Sequence, residues 1–331
     1  MSVISAETAE IGSFYAACVM VVLCVIGLAG NLLSIAVFSR RKMRSSINVL
    51  LTGLSSIDLM LLLFIVPLFA IPALNINHEP FLFAISQRMV VYVYPISMIL
   101  QSSSVWIFML ITGERYMAVC HPLKVSFYCT VRRSVIGILC VLTAALLYNV
   151  VRFWEYRLGF FMDEGNFTNL SLNHFQIVAL PLLRDQTDTY WLWYGTVSYL
   201  LTQFLVPFLF VAVLNTAVVV SIYKSRKDRA HLTKKQRNEH RTALMMVTVV
   251  LVFVLCYSLA FILNIVEAVN PTFFHPEFGT EKLAYFLNDI SNALVTFNAA
   301  STFVFYWFFS ERYRLVAKWL IISHCPFAVL R

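Results

Sequence analysis

Ionisable side chains set inside long apolar runs are where this sequence could do chemistry. Glu114-Arg115-Tyr116 closes one such run and is followed by His121-Pro122-Leu123, while Asp58 lies within another, Leu54-Ser55-Ser56-Ile57-Asp58-Leu59. A charged group at the centre of a membrane span costs about 2.5–3.5 kcal/mol on insertion scales, so such residues face a bundle interior and mark ion binding, recognition or switching. That chemistry is recognition, and no enzyme is expected. The sequence has no Gly-rich phosphate loop, no His/Cys spacing suited to a metal and no nucleophile motif.

The elements that must position these groups follow from composition. With 331 residues, 60% hydrophobic and only 13% charged, and a mean hydropathy of +0.77, the chain has too little polar surface for a water-soluble globule, whose charged share is about a quarter. Apolar runs of about 20 residues or more, enough to cross a bilayer, fall at 12–38, 47–74, 89–119, 134–151, 190–223, 242–269 and 283–309. None alternates like a barrel strand, so the predicted class is all-α, a seven-transmembrane helix bundle. Residues 1–11 are expected outside it, and 310–331 form an amphipathic helix and tail. The first run is too long for a signal-peptide core, lacks a basic leader and is followed by Arg40, Arg41, Lys42 and Arg44, which reads as a retained span.

Charge sets the orientation. With the amino terminus outside, twenty Lys and Arg residues fall on the inner side and five on the outer: Arg88, Arg152, Arg157, Arg184 and Lys282. The positive-inside rule then predicts an extracellular amino terminus and a multi-pass protein of the plasma membrane. The net charge of +8 belongs to basic loops beside anionic lipid and needs no nucleic acid. Twelve carboxylates against five bases leave the outer face at −7, a field that favours a cationic ligand.

Along the chain, Gly30-Asn31 in the first span suggests close helix approach and an interhelical hydrogen bond. Pro67 and Pro72 suggest kinks that shape an outer vestibule. In the third span Tyr94, Ser97, Met98, Gln101 and Ser104 recur at helical spacing and form one less apolar face, expected to line a cavity. Two sequons, at Asn166 and Asn169, lie in the outer loop 152–189, where glycosylation is feasible. Tyr190, Trp191, Trp193 and Tyr194 read as an interfacial aromatic belt or as a stacking surface for ligand aromatics. Glu239, at the base of the sixth span, either pairs with Arg115 across the bundle or neutralises nearby arginines. Glu267 and Asp289, near the outer mouth, are partners for a basic ligand or solvated cap residues. Residues 309–320 separate apolar from basic faces as an interfacial helix does, and Cys325 beyond it is an acylation site or a free thiol.

Glu114-Arg115-Tyr116 with His121-Pro122-Leu123 resembles the third-helix terminus of rhodopsin-like G-protein-coupled receptors. Leu147-Tyr148-Asn149, then Arg152-Phe153-Trp154-Glu155, together with Leu214-Asn215 after Pro207, Leu263-Asn264-Ile265-Val266-Glu267-Ala268 and Ile290-Ser291-Asn292-Ala293-Leu294, is similar to invertebrate FMRFamide-type neuropeptide receptors. The likeness runs from about Gly30 to Leu320. It implies a receptor that passes ligand binding to a heterotrimeric G protein, with Arg115 and Leu123 contacting Gα and Glu114, Tyr116, Glu239 and Tyr306 in the switch. Tyr94, Ser97, Met98 and Gln101 match the ligand-contacting positions. A sodium ion as allosteric ligand is implied at Asp58, Ser104 and Asn298, the alternative being a protonated Asp58 bonded to the same groups. No other cofactor is expected.

The expected ligand is a short amidated peptide with a basic residue. A small environmental molecule, sensed as in a chemosensory receptor, is the alternative, and a transporter or channel the third reading. Ser97 stands where amine receptors carry aspartate, and the seventh span has no lysine for retinal, so neither a biogenic amine nor an opsin is expected. The family pattern also fails in places. Position 90 is Val and the outer loop has no cysteine, so the usual disulfide there is not expected. The sixth span lacks proline, and the seventh reads Thr302-Phe303-Val304-Phe305-Tyr306 where Asn-Pro-x-x-Tyr is usual, so both helices are expected to bend less or to bend elsewhere.

Overall fold

The structure of the chain, a computed structural model, describes residues 6–74, 79–162, 175–181, 190–227, 234–269 and 281–324. The long apolar runs are helices: α1 (Ala6–Phe38), α2 (Ser46–Leu74), α3 (Tyr94–Cys120), α4 (Val131–Asn149), α5 (Leu192–Tyr223), α6 (Lys234–Val269) and α7 (Glu281–Phe309). Six of them are by themselves long and apolar enough to cross a membrane, and the seventh qualifies together with the segment after it, across a bend of 104°. A helix satisfies its own backbone, which hydrocarbon demands. α1 starts at Ala6, earlier than the expected boundary at residue 12.

Helix ends follow local chemistry. The Ser45 hydroxyl accepts from the Asn48 N–H at 3.4 Å to start α2, and Thr130 does the same for Arg133 at the start of α4, also at 3.4 Å. α3 ends at Cys120 because Pro122 disfavours helical geometry at His121, whose ψ is 58°. A short helix, Pro122–Tyr128, follows. After α7 the chain turns into α8 (Glu311–His324). Ser310 caps the new helix by accepting from the Tyr313 N–H at 3.2 Å, and Arg314 Nη1 donates to the last carbonyls of α7, at Trp307 (3.0 Å) and Phe308 (2.7 Å). A cation therefore terminates one helix while a hydroxyl starts the next. α8 buries Tyr313, Ala317 and Leu320 against Phe38 and Tyr306, and leaves Leu315 and Trp319 exposed. The exposed side thus includes large apolar side chains and is not purely basic.

Prolines act as expected in α2, where Val66–Ala70 winds as a π-helical turn around Pro67. The wider π-helical winding in α5, Trp191–Ser198 and Leu200–Leu205, ends just before Pro207, which has no N–H to offer the Gln203 carbonyl. α6 and α7, which lack internal proline, are continuous helices of 36 and 29 residues. One element was not anticipated. The loop after α4 folds into a hairpin whose strands β1 (Tyr156–Met162) and β2 (Phe175–Pro181) pair antiparallel from Tyr156 opposite Pro181 to Met162 opposite Phe175. Its strands are too short and mixed to stand out among helices. It packs on a helix, Pro80–Tyr92, that leads into α3.

α1 and α7 approach closely because Gly27 has no side chain: a Cβ there would lie 2.7 Å from the Ala300 Cβ and 2.9 Å from its Cα. Asn31, fully buried, then donates to the Gly27 carbonyl at 3.0 Å and the Ala299 carbonyl at 3.2 Å, which is the expected interhelical bond. Gly27→Leu should separate the two helices at a cost of about 1–3 kcal/mol. A thermal melt in detergent should show a lowered midpoint, and an unchanged midpoint would contradict this packing.

Candidate functional site: a polar axis through the bundle

Three groups of polar residues line the bundle from the hairpin end to the Arg115 end. At the hairpin end a cavity of about 530 Å³ is lined by Tyr94, Ser97, Met98 and Gln101 of α3 and by Glu267 of α6. The four α3 residues were expected to line a cavity and do, whereas Ser104, expected on the same face, lines the middle cavity instead. Gln101 Nε2 donates to the Tyr199 hydroxyl at 3.4 Å, and the Ser97 hydroxyl is buried with no partner among the described residues. Asp289 does not join them. It faces α1, where Ser13 donates to its carboxylate, and its neighbour Asn288 occupies the cavity wall instead. The expectation fails because α7 turns about 100° per residue, so adjacent positions point to different neighbours.

Beside this cavity lies an ion pair whose members the sequence reading only counted among the outer-face charges. Arg152 and Glu155 are each 3% exposed. Arg152 Nη1 donates to Glu155 Oε1 at 3.1 Å and to the Tyr94 hydroxyl at 3.0 Å, while its Nε donates to Asn149 Oδ1 at 3.1 Å. The guanidinium carbon lies 5.0 Å from the Tyr194 ring centre. The Tyr190 hydroxyl donates to Glu155 Oε1 at 2.9 Å. Burial, and then the Glu155 carboxylate, pushes the Tyr190 phenol above its ordinary range, so it stays a donor. Tyr190 and Tyr194 thus point inward, a correction to the aromatic belt, whereas Trp193 is 63% exposed and keeps that role. Asn149 extends the cluster by donating to Ser102 at 2.9 Å, where Gln203 Nε2 also donates at 2.9 Å. The i,i+3 spacing of Arg152 and Glu155, one turn beyond Asn149, was the available sequence signal.

Midway, Asp58 is 1% exposed. Ser104 donates to its Oδ1 at 2.6 Å, as expected, and Thr302 to its Oδ2 at 3.5 Å. Thr302 was missed. Asn298, the expected partner, lines the same cavity of about 60 Å³, and its backbone carbonyl accepts from Thr302 at 3.4 Å. The two residues are one turn apart, so either can face α2. That cavity continues to Arg115, Asn215 and Tyr306. Arg115 Nε and Asn215 Oδ1 are buried without partners among the described residues.

At the far end Glu114 and Arg115 diverge. The Glu114 carboxylate accepts from Ser134 at 3.5 Å and from Ser46. Tyr116 bonds to His121 Nε2 at 3.2 Å. Leu123 is 95% exposed, and Tyr306 is buried in an aromatic cluster with Phe38 and Tyr313. Glu239 lies on α6, with its side chain outside the described part of the structure, as are Asn166, Asn169 and Cys325. Cys18, Cys24, Cys120, Cys129, Cys140 and Cys256 are free thiols.

A bundle of seven long apolar helices with a polar axis, with Arg115 in the last turns of α3, is the architecture of a multi-pass membrane protein. Residues 30–310 match the sequence model of the 7 transmembrane receptor (rhodopsin family), and the chain belongs to that family. It is 40% identical over 313 residues to the FMRFamide peptide receptor frpr-18 of Caenorhabditis elegans, covering 93% of this chain and 69% of the relative. It is 32% identical over 296 residues to the FMRFamide receptor of Drosophila melanogaster, covering 88% of this chain and 51% of that protein, or about half its length. Over 250 residues it is 29% identical to somatostatin receptor type 1 of Rattus norvegicus, with 74% of this chain and 58% of the relative covered.

Removing one member of the buried ion pair leaves an uncompensated charge, which costs about 3–5 kcal/mol, whereas replacing both by apolar residues is often neutral. Glu155→Leu should therefore lower the melting midpoint more than the double change Arg152→Met with Glu155→Leu. A double change as damaging as the two single changes added together would refute the coupling.

Proposed function

We propose that this chain is a receptor for a short amidated peptide of the FMRFamide type and signals through a heterotrimeric G protein. The observation that carries the reading is the 40% and 32% identity to two FMRFamide receptors. The cavity at the hairpin end supports it, because Glu267 supplies an acidic wall suited to a ligand arginine, with Tyr94, Met98 and Gln101 available to its other groups. The chemosensory alternative is not favoured by these relatives.

In this reading the hairpin end and the amino terminus face outward from the plasma membrane, as the charge asymmetry of the loops suggests, and Asn166 and Asn169 are glycosylation sites. Peptide binding favours the conformer in which the inner end of α6 moves outward and opens a cavity for the Gα carboxy-terminal helix. Arg115 contacts that helix and Leu123 docks in an apolar pocket on Gα. Coupling between the two ends is a population shift, bounded by the peptide's differential affinity for the two conformers. Glu239 closes the resting state against Arg115.

A sodium ion suits the middle cavity. The Asp58 carboxylate and the hydroxyls of Ser104 and Thr302 are oxygen donors of the kind a hard cation takes, and about 60 Å³ accommodates an ion or about two waters. Asp58, Ser104 and Thr302 would hold it, with Asn298 alongside, and bound sodium would favour the conformer in which the cavity stays intact.

Two measurements test this. Against a library of amidated peptides read by G-protein recruitment, an arginine-containing agonist should lose about tenfold or more in potency on Glu267→Ala, the worth of one charge-assisted hydrogen bond, while an uncharged analogue keeps its potency. Equal losses for both peptides would remove Glu267 from the ligand contact. Sodium, but not the larger potassium, should raise the melting midpoint of the wild type and leave Asp58→Asn unmoved; a sodium response that survives in the variant would dismiss the ion site.

A further inference from the structure

A groove between α3, α4 and α5 lies to one side of the polar axis and meets it at Glu114. It is a lateral cleft of about 730 Å³, with Trp106, Leu110, Gly113, Gly137, Val206 and Phe210 among its walls. It is deep because two of those positions are glycine. A Cβ at Gly113 would meet nothing nearer than the Phe210 ring at 3.9 Å, and one at Gly137 would come within 3.3 Å of Leu110. Leu110, Val206 and Phe210 are 36%, 52% and 39% exposed, so the cleft opens sideways toward the bilayer and away from the bundle interior.

Its two ends differ in chemistry. At mid-span the Trp106 N–H donates to the Thr202 carbonyl at 3.1 Å, which leaves that end without a free polar group. At the Arg115 end the lining becomes polar, with Arg133, Ser134, Glu114 and Tyr128. The guanidinium of Arg133 donates to the Phe127 carbonyl and lies over the Phe127 and Tyr128 rings. A guanidinium has five N–H donors, so Arg133, beside the exposed Arg132, keeps donors for an anion. The one carboxylate there, Glu114, is engaged by Ser46 and Ser134. From Trp106 to Met117 the groove runs roughly 16 Å along α3 at 1.5 Å per residue, about half of a hydrocarbon core some 30 Å thick. Apolar length, depth and a cationic mouth together describe one leaflet's amphiphile.

We infer that this groove is a binding site for an anionic phospholipid of the leaflet at the Arg115 end, with its phosphate at Arg133 and one acyl chain laid against Trp106, Leu110, Val206 and Phe210. The occupant extends across α3, α4 and α5. It therefore senses any change in the spacing of α5 from α3 at the end that carries Arg115.

The test uses the full chain in phosphatidylcholine nanodiscs doped with a phosphatidylserine analogue that carries a diazirine midway along one acyl chain. Photolysis should place label on the peptides containing Met109, Leu110, Val206 or Phe210. Gly113→Leu fills the groove from its floor, and Val206→Trp fills it from a wall that is 52% exposed, where a larger side chain does not threaten folding. Each should cut labelling about tenfold, equivalent to about two displaced methylenes. Arg133→Glu should reduce the preference for the serine over the choline analogue by about fivefold or more. Equal labelling by the choline analogue, labelling of the groove by a sterol probe in preference to both, or labelling that survives both fillings would each overturn the assignment.

Discussion

A polar atom inside a bilayer has no water to fall back on, and nearly every specific feature of this bundle is a response to that constraint. The helices satisfy their own backbones, so the remaining problem is the side chains. Asn31 reaches two carbonyls across α1 and α7, Asp58 collects hydroxyls from α3 and α7, and Arg152 is enclosed by Glu155, Asn149 and Tyr94. The bonds from Asn31 to Ala299, from Ser104 and Thr302 to Asp58, and from Arg152 to Tyr94 join segments that are distant in sequence. The few polar residues therefore fix which helices are neighbours, while the apolar majority, equally content against lipid or protein, does not.

The same constraint explains why the axis divides into three stations. The cavity at the hairpin end is wide, the middle one is small, and Arg115 sits at the limit of the second with an Nε that has no partner among the described residues. Asp58 and Arg115 line that one small cavity.

Much of this was legible before any coordinates. Seven long apolar runs and the cationic loops give the fold class, because length and hydropathy are what a bilayer selects. The face of α3 was legible because 3.6-residue periodicity places Tyr94, Ser97, Met98 and Gln101 together. What periodicity along one helix cannot give is the partner on another. Thr302 rather than Asn298 reaches Asp58, and Asp289 turns to Ser13 rather than the cavity, as α7 packs through Ala300 and Phe303 against Gly27 and Gly30 of α1, a fact of three dimensions. Arg152 and Glu155 entered the sequence reading only as outer-face charges, since a helix end near an interface looks the same in sequence whether its charges are solvated or paired. The hairpin was invisible for a related reason: seven residues per strand leave little pattern amid so much apolar sequence.

The base of that hairpin is fastened to the bundle by the Arg152–Glu155 pair and the tyrosines around it, and the loop carries no cysteine. This fastening then requires no oxidase and no thiol shuffling, and reducing agents that open sulfur-bridged loops leave it untouched. The cavity beneath the hairpin is held in shape by buried electrostatics, so this hold is indifferent to redox poise.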